Sequence, residues 1–439
     1  MFDKSTFCII PWSTILINPS GDFRICCFSG VDDDSFQGND HGVCLDEDGN
    51  VINILTHSIK DALNSQYHKS LRLAQSKNER HGICKVCWDR DDACASKNIP
   101  TNSMRAFRSF VQLPNMDKAI PIHVAKDHMQ EDGSIDEFPI SLDLRFTNVC
   151  NMKCVMCNSR YSNQWYADEM KLYNKTYFTV DSNKKYNITV DNGVYKTDMP
   201  VWHDSPIWWK KFDEIKHRVQ HLYLTGGEPF IIKGHDVLLD KLIEDNLASK
   251  VILEYDTNLS VINEKILKRL SHFKQVIISV SCDDVEDKYD LIRSGGNFQI
   301  LLKNLEKIKQ KNIEIRWLTT CTGIYSVFSP IRLYEYFTPL GYKNFGYRFL
   351  RAPWHSDLAM LPDHLKEKVI EVYNTSNLPQ HAKDYYIGYL ENNMGKYSKD
   401  QCERHVYAHI DFLNKLDELR GTNWKETLPD VVLLLKEYL

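Results

Sequence analysis

Apolar and polar positions alternate most regularly in the second half of the chain. Six short runs rich in β-branched, leucine and aromatic residues lie at 141–146, 220–224, 251–256, 275–281, 313–319 and 345–350. Runs of this length and composition predict strands buried between layers. Longer segments with apolar residues at helical spacing separate them, such as 233–246, 261–272 and 298–311. Strand and helix in alternation predict an α/β architecture of six β/α units, with parallel strands and right-handed crossovers. Nearer the N-terminus, 13–17 and 23–26 read as two strands of a hairpin across a turn containing Pro19, Ser20 and Gly21. Residues 58–78 read as a helix, 109–114 as extended chain, 131–134 as a turn and the acidic run 32–34 as a loop.

Composition narrows the class. The 439 residues allow two or three domains, or one large barrel with additions. With 43% hydrophobic and 26% charged residues a normal packed core is expected. A net charge of −5 gives no general electrostatic grip on nucleic acid or an anionic membrane, so neither is expected as a partner. The N-terminus lacks a basic region followed by an apolar run of signal-peptide length. No apolar stretch approaches the ~20 residues of a membrane helix. A soluble, cytoplasmic protein is expected.

The cysteines add the chemistry. There are thirteen, grouped within 8–94 and 150–157, with Cys282, Cys321 and Cys402 alone. In a cytosolic chain such grouping reads as metal or cluster ligation rather than a disulfide framework. Cys150, Cys154 and Cys157 are spaced C-x3-C-x2-C just after the first of the six strands. Thiolates are soft ligands for iron–sulfur clusters, copper(I) or zinc. Three of them can hold three corners of a cubane, and with no fourth cysteine close behind one iron stays open. Cys8, Cys26, Cys84 and Cys87 form a second, four-thiolate set, because the hairpin brings Cys8 near Cys26. Cys27 and Cys94 are spare, and either could replace Cys26 or add a ligand. Either set could instead bind zinc.

These motifs resemble the radical S-adenosylmethionine (radical SAM) superfamily. The resemblance implies a partial (β/α)6 TIM-type barrel over 141–355, with an insertion at about 173–205. It implies a 4Fe–4S cluster on Cys150, Cys154 and Cys157 whose open iron chelates SAM. Met156 stands where an aromatic residue usually packs against the adenine. Gly226, Gly227, Glu228 and Pro229, after the second strand, match the family's GGEP element for the SAM amino group. Thr257 and Asn258 resemble its T-N-G turn, with Leu259 replacing glycine. Ser279, Ser281 and Asp283 lie where relatives contact the ribose or carboxylate, and Arg293 resembles the arginine of a D-x-x-R-G element. Helix capping and surface pairing are the bland account of these last residues.

The N-terminal set looks like a Twitch domain, the shortened relative of SPASM, carrying an auxiliary 4Fe–4S cluster. Domains are accordingly expected at 1–105 for the auxiliary cluster, 106–140 for a linker packing on both domains, and 356–439 for a helical extension. That extension should cover the open side of the barrel or form a subunit contact. The family implies reductive cleavage of SAM and hydrogen abstraction from a peptide or small molecule. Oxidation, cross-linking or epimerisation would follow. An electron donor such as flavodoxin or ferredoxin is expected. The alternative is a non-catalytic iron–sulfur or zinc-binding scaffold or redox module. Among the remaining residues, Cys282 and Cys321 near strand ends could face the cavity or simply fill core space. Arg348, Arg351 and His355 could help close the cavity. The insertion 158–219 reads as a lid or binding loop, or as aromatic packing around Tyr161, Trp165, Tyr166, Trp202, Trp208 and Trp209.

Overall fold

The computed structural model describes residues 4–29, 42–96, 103–109, 120, 122, 124–311 and 313–439. The expected loop at 32–34 lies outside them, as does all but Ser109 of the expected extended stretch. Ser109 itself sits in a helical turn.

Eleven strands occur among the described residues. They are β1 (Thr14–Ile17), β2 (Phe23–Arg24), β3 (Ser141–Arg145), β4 (Tyr177–Thr179), β5 (Lys185–Asp191), β6 (Val194–Thr197), β7 (His221–Thr225), β8 (Ile252–Thr257), β9 (Gln275–Ser281), β10 (Glu314–Thr322) and β11 (Phe345–Phe349). Eight form one sheet in the order β11-β10-β9-β8-β7-β3-β1-β2. Pairing is parallel at β3–β7, β7–β8 and β10–β11. The six predicted runs are β3 and β7 to β11, and their ends agree to within three residues. Helices Lys233–Glu244, Glu264–Leu270 and Phe298–Gln310 follow β7, β8 and β9. The second begins later than its apolar pattern because Asn263 stays extended and caps it, accepting from the backbone N–H of Ile266.

Three local readings change. Residues 58–78 form two helices, Ile59–Leu63 and Gln66–Ser76. Ser65 breaks them by staying extended and accepting from the His68 N–H as an N-cap. The hairpin forms, with Leu16 opposite Arg24, but Ser13 belongs to the short helix Ile10–Ser13 and β2 stops at Arg24. Its first strand also pairs in parallel with β3, from Thr14 opposite Ser141 to Ile17 opposite Leu144. The turn-rich stretch after 173 is a three-stranded antiparallel sheet, β4-β5-β6. Only Phe178, Tyr186 and Ile188 of those strands turn inward. The alternation Lys185-Tyr186-Asn187-Ile188-Thr189-Val190-Asp191 carries a period-two signal that the sequence reading passed over.

The chain divides into two units. The first comprises Met1–Val149, Thr176–Tyr255 and Asn263–Ile277. On one face of β3, β7 and β8 in this unit, Leu142, Leu144, Leu222, Leu224, Leu253 and Tyr255 are fully buried. The other face carries Asp143, Tyr223 and Glu254 in register. Trp202 and Trp208 meet edge to face with centroids 5.1 Å apart, so these insertion aromatics are core.

The second unit comprises Cys150–Lys175, Asp256–Ile262 and Ile278–Leu439. Here the tail forms helices Asp363–Thr375, Gln380–Glu391, Lys399–Arg420, Trp424–Thr427 and Pro429–Leu435. Their apolar faces share one core with Val155, Trp165, Ile292, Tyr325 and Leu350. Arg351 and His355 contribute to this packing. The Arg351 guanidinium lies 4.9 Å from the Tyr389 ring, and the His355 ring lies 4.3 Å from that of Phe412.

Burial separates two substitutions. Leu144→Ala, in the centre of the apolar face, should cost about 2–5 kcal/mol. Val190→Ala, on the exposed side of β5, should change stability by less than about 0.5 kcal/mol. Urea unfolding followed by circular dichroism checks both, and equal losses would contradict the assigned faces.

Candidate functional site

In the first unit, four separated cysteines converge. Cys8 precedes helix Ile10–Ser13, Cys26 follows β2, Cys84 ends a 3-10 turn and Cys87 lies in helix Lys85–Ser96. The turn that returns Cys26 toward Cys8 needs Gly21, whose φ is +83°. Burial raises each of the four thiols, Cys8 to about 12. Negative charge on Cys87 and Cys26 pushes Cys8 further, and charge on Cys26, Cys8 and Cys87 does the same to Cys84. Arg105 opposes this at Cys8, Cys84 and Cys87, held by Asp91 at 2.9 Å. Thiols this close ionise together only around added positive charge. A bound metal ion or cluster would supply that charge.

Cys27 neighbours Cys26 and Cys87 and also borders a polar face. Burial raises it to about 12, and its charged neighbours include Arg145, Asp143 and Arg108. These residues belong to a polar face that the sequence reading missed. Arg145 pairs with Asp143 at 3.2 Å. Arg108 pairs with Glu254 at 3.3 Å and lies 5.3 Å from the Tyr223 ring centroid. His221 bridges Ser141 (2.8 Å) and Glu254 (3.0 Å). A cavity in this unit is lined by Cys26, Cys27, Arg108, Ser141, Asp143 and Tyr223, among others. Thr14 lines it too, and its buried hydroxyl has no hydrogen-bond partner among the described residues. The available signal was the polar period-two positions Asp143/Arg145 and His221/Tyr223 inside strands otherwise apolar. In a sheet covered on both faces, such positions face a cavity.

The Gly-Gly-Glu-Pro segment follows β7 in the same unit. Gly226 has φ +90°. A Cβ on Gly227 would lie 2.0 Å from the carbonyl oxygen of Val149, so only glycine fits. The next N–H, of Glu228, donates to that carbonyl at 2.9 Å. Glu228 is fully buried and accepts from the Phe230 N–H at 3.2 Å, and Pro229 opens a 3-10 turn.

In the second unit, the loop with Cys150, Cys154 and Cys157 has no regular structure and is strapped down by hydrogen bonds. Lys153 N–H donates to Ser294 O and Val155 N–H to Ile292 O, both at 2.8 Å. Cys150 N–H donates to Asn163, and the Trp165 indole N–H donates to Cys154 O at 3.0 Å. Gly295 sits against the loop at φ +93°, where a Cβ would be 3.0 Å from Asn151 O. Two side chains donate to sulfur, Asn258 to Cys150 at 3.9 Å and Arg293 to Cys154 at 3.8 Å. Burial raises the Cys154 and Cys157 thiols, and at Cys157 charge on Cys154 and Cys150 adds to it. The three sulfurs therefore also group.

Several predicted residues gather around this loop. Asn258 also donates to Asn151 at 3.0 Å. Leu259 adopts φ +52°, the left-handed conformation for which glycine is suited, and pays that strain while fully buried. Asp283 lies beyond β9, fully buried, 2.7 Å from the Arg293 guanidinium, and accepts from the Cys321 N–H. Burial pushes the Asp283 carboxyl up against the pull of Arg293. The Arg293 Nε has no hydrogen-bond partner among the described residues. Ser279 is buried and Ser281 half-buried, two residues apart on β9. Met156 is half-buried and packs against the core shared with the C-terminal helices. Cys282 is fully buried and its thiol donates to Asp284 O, whereas Cys321 is half-buried with Asp283, Arg293, Arg348 and Asp256 as charged neighbours. Among the described residues no three His, Cys, Asp or Glu side chains converge at single-ion spacing. No helix is long and apolar enough to cross a membrane.

Comparison with known proteins adds the following. A relative in Bacillus subtilis (strain 168), the sporulation killing factor maturation protein SkfB, is 26% identical over 198 residues. The match takes in 44% of this chain and 37% of SkfB, so the chain spans well under half of that relative's length. The solved structure of anSMEcpe with bound AdoMet is 17% identical with a TM-score of 0.36, covering 57% of this chain and 60% of that one. Streptococcus suis SuiB bound to precursor peptide SuiA is 13% identical with a TM-score of 0.37, covering 76% and 66%. The family model of the radical SAM superfamily matches residues 144–328, and that of the SPASM iron–sulfur cluster-binding domain matches residues 8–88. The first span holds the strapped three-cysteine loop and the Gly-Gly-Glu-Pro segment, and the second begins at Cys8 and reaches just past Cys87. The chain thus carries a radical SAM domain at 144–328, preceded by a SPASM iron–sulfur cluster-binding domain at 8–88.

Proposed function

We propose that this radical SAM enzyme abstracts hydrogen from a peptide substrate and modifies it, with two 4Fe–4S clusters. The observation that carries the reading is the strapped loop, in which three cysteines group and Asn258 and Arg293 donate to two of the sulfurs. When bound there, a cluster with SAM supplies reductive cleavage to methionine and a 5′-deoxyadenosyl radical, able to take hydrogen from an unactivated C–H bond.

Cys150, Cys154 and Cys157 hold the first cluster in this reading, and Cys8, Cys26, Cys84 and Cys87 hold the auxiliary one. Gly226 and Gly227 leave backbone accessible to SAM, and Glu228 takes its ammonium. Asn258, Ser279, Ser281, Asp283 and Arg293 orient its ribose and carboxylate, with Met156 against the adenine. A cluster held by Cys8, Cys26, Cys84 and Cys87 would supply a one-electron acceptor, which suits the site to net oxidation or cross-linking. Flavodoxin or ferredoxin supplies reducing electrons in the cytoplasm. The polar cavity of Arg108, Asp143 and Tyr223 suits a substrate rich in hydrogen-bonding groups, such as peptide amides. A maturation protein acts on a gene-encoded product, and that role of the SkfB relative supports a peptide over a small metabolite.

The deciding measurement is 5′-deoxyadenosine release by anaerobically reconstituted, reduced protein given SAM and fractionated cell extract. Stimulation by the peptide-sized fraction is expected. Stimulation by the small-metabolite fraction alone would overturn the peptide assignment, and colourless protein without iron or sulfide would overturn the cluster reading.

Three variants refine it. Cys154→Ala should abolish 5′-deoxyadenosine release while the N-terminal iron and sulfide remain, measured by iron analysis and electron paramagnetic resonance. Gly227→Ala should lower release at least tenfold, because its methyl group would displace the Val149 carbonyl and with it the segment that faces SAM. Cys26→Ala should remove the auxiliary signal and Cys27→Ala should keep it. The reverse result would exchange their roles.

A further inference from the structure

The longest helix of the second unit ends on a buried arginine. Helix Lys399–Arg420 starts at a capping box of Ser398 and Gln401 and stops where Gly421 turns left-handed at φ +67°. Its end is fixed by the fully buried Trp424. The Trp424 backbone N–H donates to Asp417 and its indole N–H to Asn414. This places Arg420, whose side chain is 4% exposed, beside the cysteine loop.

The contacts run from that arginine to the loop. Its Nε donates to Asp168 at 2.9 Å, and its guanidinium lies 4.7 Å from the Trp165 ring centroid. Trp165 in turn donates to the carbonyl of Cys154. The other oxygen of Asp168 accepts from Lys153, inside the loop, at 3.1 Å. One guanidinium nitrogen, Nη2, is buried without a hydrogen-bond partner among the described residues. Arg420 is also close enough for its charge to favour the thiolate of Cys154. Two cations and one carboxylate leave a net charge of +1 beside three thiolate positions.

A buried carboxylate needs only one cation for neutrality, and Lys153 already supplies it from the loop itself. The second cation, delivered from a helix more than 240 residues away in sequence, is an excess that packing does not require. A guanidinium keeps its charge when buried and can lie flat on an indole, which suits it to this place. Cluster potentials respond to net charge and hydrogen bonding near the sulfurs. Reduction adds one electron, drawn from an external reductant, and that added negative charge is what a fixed guanidinium stabilises.

We propose that Arg420 is a positioning residue of the radical SAM site, through which the C-terminal extension braces the cysteine loop and raises the reduction potential of the cluster held there. The proposal rests on the cluster reading given above.

The test is a redox titration of the full-length reconstituted protein with titanium(III) citrate, followed by electron paramagnetic resonance. The signal that changes on adding SAM marks the loop cluster, and the other marks the auxiliary one. Arg420→Met should move the midpoint of the SAM-sensitive signal to more negative potential, and Asp168→Asn should move it to more positive potential. Arg420→Lys should restore most of the shift, and the SAM-insensitive midpoint should stay put throughout. An unchanged midpoint in Arg420→Met at full iron and sulfide content overturns the proposal. If that variant holds no cluster, Asp168→Asn decides alone, and an unchanged or more negative midpoint overturns it. A wild-type protein with no SAM-sensitive signal would instead sink the cluster reading, and this inference with it.

Discussion

Neighbouring buried thiols cannot all ionise unless positive charge sits among them, and each cysteine group of this protein is organised around that electrostatic constraint. Burial penalises each thiolate, and each thiolate penalises the next. The chain opposes this with fixed guanidinium groups. Arg105 does so in the N-terminal group, and Arg293 and Arg420 do so at Cys154. Each of these arginines is in turn anchored on an aspartate, Asp91, Asp283 or Asp168. In the proposed function this suits the thiols to cluster ligation without scattering unpaired charge through the core.

Backbone geometry supplies the second requirement, a loop that cannot drift. An irregular segment carries unpaired N–H and C=O groups, and here they are met by the segment ending helix Glu286–Ile292 and by Trp165 and Ser162. Glycines occur where chain meets chain. Gly227 and Gly295 allow approaches that any side chain would block, while Leu259 accepts a left-handed conformation in place of a glycine. Rigid placement of ligands in this way is what a site for radical chemistry needs, since a misplaced C–H bond does not react.

The sheet divides its labour by face. In β3, β7 and β8 the leucines and Tyr255 pack one side, while Asp143, Arg145, Tyr223 and Glu254 occupy the other in cross-strand register. Those polar side chains satisfy one another through Arg108 and His221, so the interior is polar without being costly. In the proposed function this face meets substrate, and Cys27 lies at its edge beside the auxiliary ligand Cys26.

By itself the sequence determined the cofactor chemistry and the order of elements. The spacing of Cys150, Cys154 and Cys157, the Gly-Gly-Glu-Pro segment and the alternation of short apolar runs with helical ones are local patterns, and local patterns are legible without coordinates. Tertiary structure decided what depends on distant partners. That β1 joins β3, that Cys26 groups with Cys8 and Cys84 while Cys27 neighbours Cys87 and borders the polar face, and that Arg293 pairs with Asp283 all follow from contacts between residues far apart in the chain. The same holds for the tail. Its amphipathic helices could be read from their period, but the placement of Arg420 beside the cysteine loop depends on the cap at Gly421 and the burial of Trp424. No periodicity in 361–439 encodes a partner near residue 154, because which surface an apolar helix face covers is set by packing and not by the pattern that makes it a helix.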